Sequence, residues 1–115
     1  MNRKSKLFIL VVSRCGRLTE NQYQSRLIKR LSELFPGCVV LKTDTSYQQG
    51  FPDLLILWCD YWASLEVKPF ASFRSQPNQS YFVEKLNQMS FAAYIYPENE
   101  EEVLYALQQA FGTSR

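Results

Sequence analysis

The sequence predicts an α/β fold in which helices cover both faces of a mixed β-sheet. Short apolar runs of strand length alternate along the chain with longer segments whose apolar residues recur at helical spacing. The order of these segments is a strand followed by αβββαβα, and helices that flank strands in this way form a sandwich around the sheet. A chain of 115 residues, 46% of them hydrophobic, suits one domain spanning residues 1–115.

The N-terminal part of the chain is basic and contains an apolar run. Leu7–Val12 is predicted to be a short strand, and Arg14–Leu18 a basic connection. Such a basic region either binds polyanions or is simply solvated, and both interpretations stay open. Up to Arg30 there is one acid against eight cations: Arg3, Lys4, Lys6, Arg14, Arg17, Arg26, Lys29 and Arg30.

The first helix is predicted from its cap and its apolar stripe. Thr19 and Gln22 match a capping box, and Pro36-Gly37 stops the helix after about Phe35. Glu20 lies one turn before the start of the stripe and on the same face. The stripe itself consists of Tyr23, Leu27, Leu31 and Leu34.

Three strands are predicted next. Cys38–Lys42 is the first, and the polar segment Asp44–Gly50 is turn-like. Phe51–Trp58 is apolar on both faces, which indicates a central strand. Tyr61–Val67 pairs back on it as a hairpin through the tight turn Cys59-Asp60.

The C-terminal part adds two helices and a strand. Pro69–Asn78 is predicted to be a loop, and Ala92–Tyr96 a strand. Asn99 caps a last helix, which Gly112 ends. The helix between the loop and the strand is predicted from about Gln79 to Met89, with Phe82, Leu86 and Met89 buried. The last helix is predicted to bury Val103, Leu107, Ala110 and Phe111.

The residue types that are missing narrow the possible chemistry. There is no histidine, which excludes Ser-His-Asp and Cys-His catalysis and most catalytic zinc sites. Cys15, Cys38 and Cys59 include no CxxC pair, so they suggest neither a disulfide framework nor a zinc cage, and free thiols fit a cytoplasmic protein. No segment is long enough to predict a membrane span. Metal chemistry here has to use carboxylates, which favour magnesium or manganese.

The predicted hairpin carries charges that suit phosphoryl chemistry. Glu66 and Lys68 are two residues apart on a strand and therefore share a face, and the hairpin brings Asp53 near Glu66. Two neighbouring carboxylates repel each other unless a cation lies between them. That cation can polarise a phosphoryl oxygen and lower the pKa of a bound water. Lys68 can steady the attacking hydroxide or the charge that develops on phosphorus.

Each of these residues also has a purely structural interpretation. Glu66 and Lys68 could form an exposed charge pair, and Pro52-Asp53 after a glycine is a common turn. Both charges, however, lie in the most hydrophobic part of the sequence, where a buried charge without a purpose costs free energy. The functional interpretation is therefore favoured.

The same residues resemble the signature of the PD-(D/E)XK nucleases, which is Gly-x-Pro-Asp, a hairpin and Glu-x-Lys. The predicted αβββαβα order from Thr19 to Gly112 resembles their restriction-endonuclease-like core, and residues 1–18 lie outside it. Within the superfamily the chain is similar to VRR-NUC domains and to small Holliday-junction resolvases, such as phage endonuclease I and the archaeal enzymes. Glu20, and Gln79 with Leu86, match further positions of these proteins.

The resemblance implies a metal site built from Asp53 and Glu66, which would bind Mg²⁺ or Mn²⁺. The Val67 carbonyl can supply a third ligand, and Glu20 would bind the metal directly or through water. A first-turn acid such as Glu20 can equally serve the helix dipole.

Two further roles follow from the resemblance. Lys68 would position or activate the nucleophilic water, and Gln79 would orient a ligand or contact the phosphate. A glutamine at a helix start can equally be a cap. The residues expected to contact nucleic acid are Arg14, Arg17, Arg74 and Lys85, and a solvated side chain is the alternative for Arg74.

The function expected from the sequence is hydrolysis of DNA phosphodiester bonds by a divalent-metal-dependent endonuclease, on branched or structured DNA. Cutting two strands requires two active sites, so a homodimer is expected. The enzyme would act in a bacterial or phage-infected cell, without a membrane or a small-molecule cofactor. The alternatives are a non-catalytic nucleic-acid-binding or assembly module on the same fold, and an RNA-directed nuclease.

Overall fold

The computed structural model describes residues 18–44 and 46–112. Within these ranges it contains three α-helices, four strands and one short 3-10 turn. The helices are α1, Glu20–Leu34; α2, Pro77–Met89; and α3, Glu100–Ala110. The strands are β1, Val39–Lys42; β2, Leu54–Trp58; β3, Tyr61–Val67; and β4, Phe91–Ile95; the 3-10 turn is Pro97–Asn99.

The four strands form one mixed sheet in the order β1-β2-β3-β4. β1 and β3 both run antiparallel to β2, whereas β4 runs parallel to β3. β2 and β3 form a hairpin in which Leu54 lies opposite Leu65 and Trp58 lies opposite Tyr61. Cys59 in the connecting turn has a φ of 56°, a left-handed conformation typical of tight turns. The predicted α/β class, mixed sheet, hairpin and interior β2 are confirmed.

One face of the sheet carries the hydrophobic core and is covered by α1 and α3. The Thr19 hydroxyl accepts the Gln22 N–H at 3.1 Å, and the Gln22 side chain accepts the Thr19 N–H at 2.9 Å, so the predicted capping box begins α1. Burial of each large apolar side chain stabilises the fold by about 1.5–3 kcal/mol. The buried cluster consists of Tyr23, Leu27, Leu31, Phe35, Leu54, Ile56, Ala63, Leu65, Val67, Ile95, Val103, Leu104, Leu107 and Phe111.

The opposite face is covered by α2 over its β3–β4 half. Leu86 of α2 is buried, and the Ser80 hydroxyl lies 2.9 Å from that of Tyr94 on β4. Over the β1–β2 half of this face the aliphatic side chains are exposed, with Val39 at 49%, Leu41 at 47% and Leu57 at 39%. The sheet is therefore fully sandwiched on one half only, as far as the described residues show.

Two predicted element starts are wrong by two or three residues, and the bounds of β1 and β4 differ from the prediction by one residue. α2 begins at Pro77 instead of Gln79, because proline suits the first helical position, where no N–H partner is needed. β2 begins at Leu54 instead of Phe51, because Pro52 lacks the N–H that a strand ladder uses and Gly50 has a φ of 86°.

Two predicted core residues are wrong as well. Met89, the last residue of α2, is 65% exposed, because the chain leaves the helix there and turns into β4 two residues later. Ala110 is exposed, and Leu104 is buried in its place. The buried stripe of α3 follows Val103, Leu104 and Leu107, and Ala110 lies on its flank.

Some predictions fall on residues that the structure does not cover. The strand Leu7–Val12 and the cations Arg14 and Arg17 lie outside the described residues. Among residues 18–44 and 46–112, no helix is both long and apolar enough to cross a membrane.

α1 and α3 are joined by a partly buried polar network centred on Glu100. The Tyr23 hydroxyl donates to Glu100 Oε1 at 2.8 Å, and Arg30 Nη1 lies 2.5 Å from Glu100 Oε2. Burial and the neighbouring Glu100 carboxylate raise the pKa of Tyr23, so its hydroxyl stays protonated and donates. Arg30 also reaches Glu101, whose side chain is 82% exposed.

We predict that Glu100→Ala lowers the free energy of unfolding by about 2–4 kcal/mol, because it leaves the Tyr23 hydroxyl and Arg30 without their buried acceptor. Urea unfolding measures this change. Glu101→Ala is the matched control and should destabilise the fold much less than Glu100→Ala, since the Glu101 carboxylate is exposed. Equal losses in the two variants would contradict a special role for Glu100.

Candidate active site

The candidate site lies where β2 begins and β3 ends. The register pairs Leu54 with Leu65, which places Asp53, one residue before β2, beside Glu66. The Thr43 hydroxyl donates to the Pro52 carbonyl at 2.6 Å, and the Thr43 N–H donates to the Asp53 carbonyl at 2.9 Å. These bonds fix the backbone that carries Asp53. The Val67 N–H then donates to Asp53 Oδ2 at 2.9 Å and holds the carboxylate against the end of β3.

Glu66 and Lys68 are buried side by side at the end of β3. Only 2% of Glu66 and 5% of Lys68 is exposed. Lys68 Nζ lies 3.4 Å from Glu66 Oε2, an ion-pair distance. The strand parity that predicted a shared face for these two residues is therefore confirmed, and the exposed charge pair that was the alternative is excluded.

One oxygen of this site has no protein partner. Glu66 Oε1 is buried and accepts no hydrogen bond from any residue in the described ranges. A buried carboxylate oxygen without a partner costs free energy, and an ion or water supplies what is missing. Because carboxylate oxygens are the ligands that Mg²⁺ and Mn²⁺ prefer, the donor set of Asp53 and Glu66 fits such a cation.

Burial raises the proton affinity of both carboxylates. Burial raises the pKa of Glu66 to about 8, and repulsion from Asp53 adds to this, while Lys68 opposes it. Burial also raises the pKa of Asp53, against the opposing effects of the Val67 N–H and the Glu66 and Lys68 side chains. Without a cation, the pair therefore holds a proton near neutral pH.

Glu20, the third predicted acid, lies at the margin of this pair. It is half-buried in the first turn of α1, and Gln24 Nε2 donates to its Oε2 at 3.4 Å. Burial raises the pKa of Glu20, and repulsion from Asp53 adds to the shift. Glu20 is thus close enough to Asp53 and Glu66 to interact with them electrostatically. Within the described residues, however, no three acidic, cysteine or histidine side chains form a ready metal cluster.

Lys68 is held by Gln79 as well as by Glu66. Gln79 Oε1 accepts from Lys68 Nζ at 2.8 Å and from the Gln76 N–H at 2.8 Å. Gln79 therefore caps the start of α2, which was one of the two interpretations of this residue, and it also holds the site lysine. The glutamine lies in the third position of the helix, one turn after the cap, and so reaches back to both donors.

Two features of the site escaped the sequence analysis. The ring of Phe73 lies with its centroid 5.2 Å from Lys68 Nζ, although Phe73 is in a loop that shows no periodic pattern. Gly50 packs so closely on Asn78 that any Cβ at position 50 would overlap it. A glycine in a polar turn is the only signal for this contact, and it does not name the partner.

The described residues that were predicted to contact nucleic acid are not part of this cluster. Arg74 is exposed in the loop directly after Phe73, and Lys85 is exposed on α2, six residues beyond Gln79. Arg14 and Arg17 lie outside the described residues.

Comparison with known proteins identifies no relative. No protein-family model matches the sequence, no curated protein matches it, and no solved structure matches its fold.

We predict that the metal-free protein loses stability as the pH rises from about 4.5 to about 8, because folded Glu66 keeps a proton that the unfolded chain releases near pH 4.5. Asp53 and Glu20, whose pKa values are also raised, act with the same sign. Thermal unfolding in EDTA at several pH values measures the slope.

Glu66→Gln removes the group that contributes most to this pH dependence. The stability of the variant should therefore fall less over this pH range than the stability of the wild type. Glu102→Gln, at an exposed position of α3, is the control and should keep the wild-type slope. Mg²⁺ should stabilise the wild type more at pH 8 than at pH 5, since binding displaces the proton. Identical slopes in Glu66→Gln and wild type would contradict the raised proton affinity.

Proposed function

We propose that this chain is a divalent-metal-dependent endonuclease that hydrolyses DNA phosphodiester bonds. The observation that carries the proposal is the buried pair Asp53 and Glu66, with an unpartnered carboxylate oxygen and the Lys68 ammonium 3.4 Å from the other oxygen of Glu66. Two carboxylates and a lysine arranged in this way are suited to binding a hard cation and a phosphate group together.

Each residue has a distinct part in this proposal. Asp53 and Glu66 hold Mg²⁺ or Mn²⁺, with the Val67 carbonyl as a further ligand and Glu20 acting directly or through a water. The bound ion supplies a Lewis acid and lowers the pKa of a coordinated water. Lys68 donates to the attacking oxygen or to the phosphoryl oxygen, where negative charge develops. Gln79 positions Lys68 by accepting from its ammonium at 2.8 Å.

The arrangement of elements supports the proposed resemblance to the PD-(D/E)XK nucleases. The described chain follows the order αβββαβα apart from the short 3-10 turn, with Asp53 at the start of the second strand and Glu66 near the end of the third. The restriction-endonuclease-like assignment is part of the proposal, and so is the closer similarity to VRR-NUC domains and small resolvases.

A non-catalytic role on the same fold is less favourable physically. Keeping Glu66 and Lys68 buried at 2% and 5% exposure costs desolvation free energy. A binding module could replace them with apolar residues of similar size and lose nothing. Branched DNA as substrate and a homodimer as the active assembly belong to the proposal on the strength of the sequence alone.

The direct test is incubation of the protein with end-labelled linear duplex, four-way junction, single-stranded DNA and RNA of matched sequence, in Mg²⁺, Mn²⁺ or EDTA. We expect cleavage of DNA in either metal and none in EDTA. Preference for the junction, with a dimer in sedimentation, supports the resolvase-like form. Preferential cleavage of RNA would show that RNA, and not DNA, is the substrate. Cleavage in EDTA would rule out the metal-dependent mechanism.

We predict that Lys68→Ala lowers cleavage by at least about 100-fold, because it removes the cation nearest to the developing charge. DNA binding should change little, since one lysine contributes a small part of the phosphate contact. Single-turnover rates and fluorescence anisotropy separate the two effects.

Asp53→Asn should abolish metal-dependent cleavage while keeping the fold, because an asparagine oxygen can still accept the Val67 N–H. The matched control is Asp60→Asn in the exposed hairpin turn, which should cleave like the wild type. Wild-type cleavage by Lys68→Ala or by Asp53→Asn would sink the proposed active site.

A further inference from the structure

The loop between β3 and α2 places an aromatic ring directly against the site lysine. The Phe73 ring centroid is 5.2 Å from Lys68 Nζ, a cation–π distance. Phe70 packs edge-on against the same ring, with centroids 5.5 Å apart at 86°, and the Phe73 N–H donates to the Phe70 carbonyl at 3.1 Å. The ring is thus held in a defined orientation. It is nevertheless 43% exposed, so part of its surface is open to a ligand.

Fixing Lys68 does not require this ring. The ammonium already donates to Gln79 Oε1 at 2.8 Å and lies 3.4 Å from Glu66 Oε2. A singly exposed apolar side chain is common, so the exposure of Phe73 matters only because its ring lies against the site lysine. A ligand bound at Lys68 could cover the exposed part of this ring with a flat group.

The side chain that holds Lys68 also borders a polar cleft. A cavity of about 610 Å³ lies between the turn at Gln49-Gly50 and the start of α2, and its polar side chains are all amides: Gln49, Gln76, Asn78 and Gln79. Amides carry both donors and acceptors, as the edges of nucleobases do. Gln79 uses its side-chain oxygen for Lys68 and Gln76, and among the described residues its amide nitrogen is left as a donor for a ligand.

The structure of nucleic acid limits which bases the Phe73 ring can contact. This step rests on the proposed function, in which Lys68 faces the scissile phosphate. A base attached to a nucleotide beside that phosphate then lies next to the ring of Phe73. In a duplex both faces of the base are covered by its stacked neighbours, so an aromatic side chain can stack only on an unpaired base.

We propose that Phe73 stacks on an unpaired nucleobase next to the scissile phosphate, and that the amide-lined cleft accommodates the edge of that base. The substrate class is therefore nucleic acid with a single-stranded segment at the cut, such as a gap, a flap or an opened junction. Phe73 acts as a specificity-determining residue.

The experiment compares wild type, Phe73→Leu and Phe73→Trp on three DNAs that share one sequence. One is fully paired, one has three unpaired nucleotides at its centre, and one has abasic sites in place of those three bases. Binding is measured by anisotropy in EDTA, where no metal-dependent cleavage occurs, and cleavage is measured in Mg²⁺. Tyr105→Leu, which removes a 64% exposed aromatic ring from α3, is the matched control.

We expect Phe73→Leu to weaken binding of the unpaired substrate by about 5- to 100-fold and to leave the paired and abasic substrates unchanged. Phe73→Trp should keep or improve the affinity, and Tyr105→Leu should behave as wild type. The abasic substrate should bind the wild type as weakly as the unpaired substrate binds Phe73→Leu.

If Phe73→Leu weakened binding to all three substrates equally, the ring would act only through Lys68, and the proposal would be overturned. Wild-type affinity of Phe73→Leu for the unpaired substrate would also overturn it. Phe73-dependent binding in EDTA without any cleavage in Mg²⁺ or Mn²⁺ would support stacking and overturn the nuclease function, so the two failures are distinguishable.

Discussion

The burial of the Glu66 carboxyl is the constraint on which the site depends. A carboxylate that is 2% exposed has to be protonated, paired or bound to a cation. Lys68 neutralises one side of it at 3.4 Å, but Asp53 adds a second negative charge, and Glu66 Oε1 stays without a partner in the described part of the chain. The pocket thus lacks one positive charge. A divalent ion would supply it more completely than a proton can, since such an ion would satisfy both carboxylates at once.

The rest of the fold tolerates this costly arrangement because stability and chemistry lie on different parts of the sheet. The aliphatic and aromatic core packs on the face covered by α1 and α3, and its side chains include Leu54 and Leu65 of the hairpin. The same hairpin then presents Asp53 and Glu66 at its end, one residue beyond that pair. The antiparallel register is fixed by the core residues, so the relative position of the two carboxylates follows from packing. No attraction between the acids is needed.

The sequence could predict the parts of the site that depend on local periodicity. Strand parity predicted that Glu66 and Lys68 share a face. The two-residue turn predicted the hairpin that brings Asp53 beside Glu66. Thr19 and Gln22 gave the start of α1. Helix ends and helix flanks were less predictable, because the positions of Met89 and Ala110 depend on where each helix leaves the sheet. Periodicity alone does not contain that information.

The contacts of the loop were beyond sequence reasoning for a different reason. Phe73 reaches Lys68, and Gly50 reaches Asn78, across segments without any repeating pattern. Such contacts are fixed by tertiary packing between distant parts of the chain. Gln79 was identified only as one of two alternatives, a cap or a site residue, since its sequence position is the same for both.

Gln79 links the loop that carries Phe73 to the site lysine. Its side-chain oxygen accepts from the Gln76 backbone, which ends the loop carrying Phe73, and from the Lys68 ammonium. The loop and the lysine therefore share one acceptor, so a shift of one changes the hydrogen bond of the other. In a nuclease, a base that stacks on Phe73 would steady the loop and, through Gln79, the lysine that faces the phosphate. In the proposed nuclease, recognition of the flanking nucleotide and orientation of the Lys68 ammonium would therefore be coupled over a path of two hydrogen bonds.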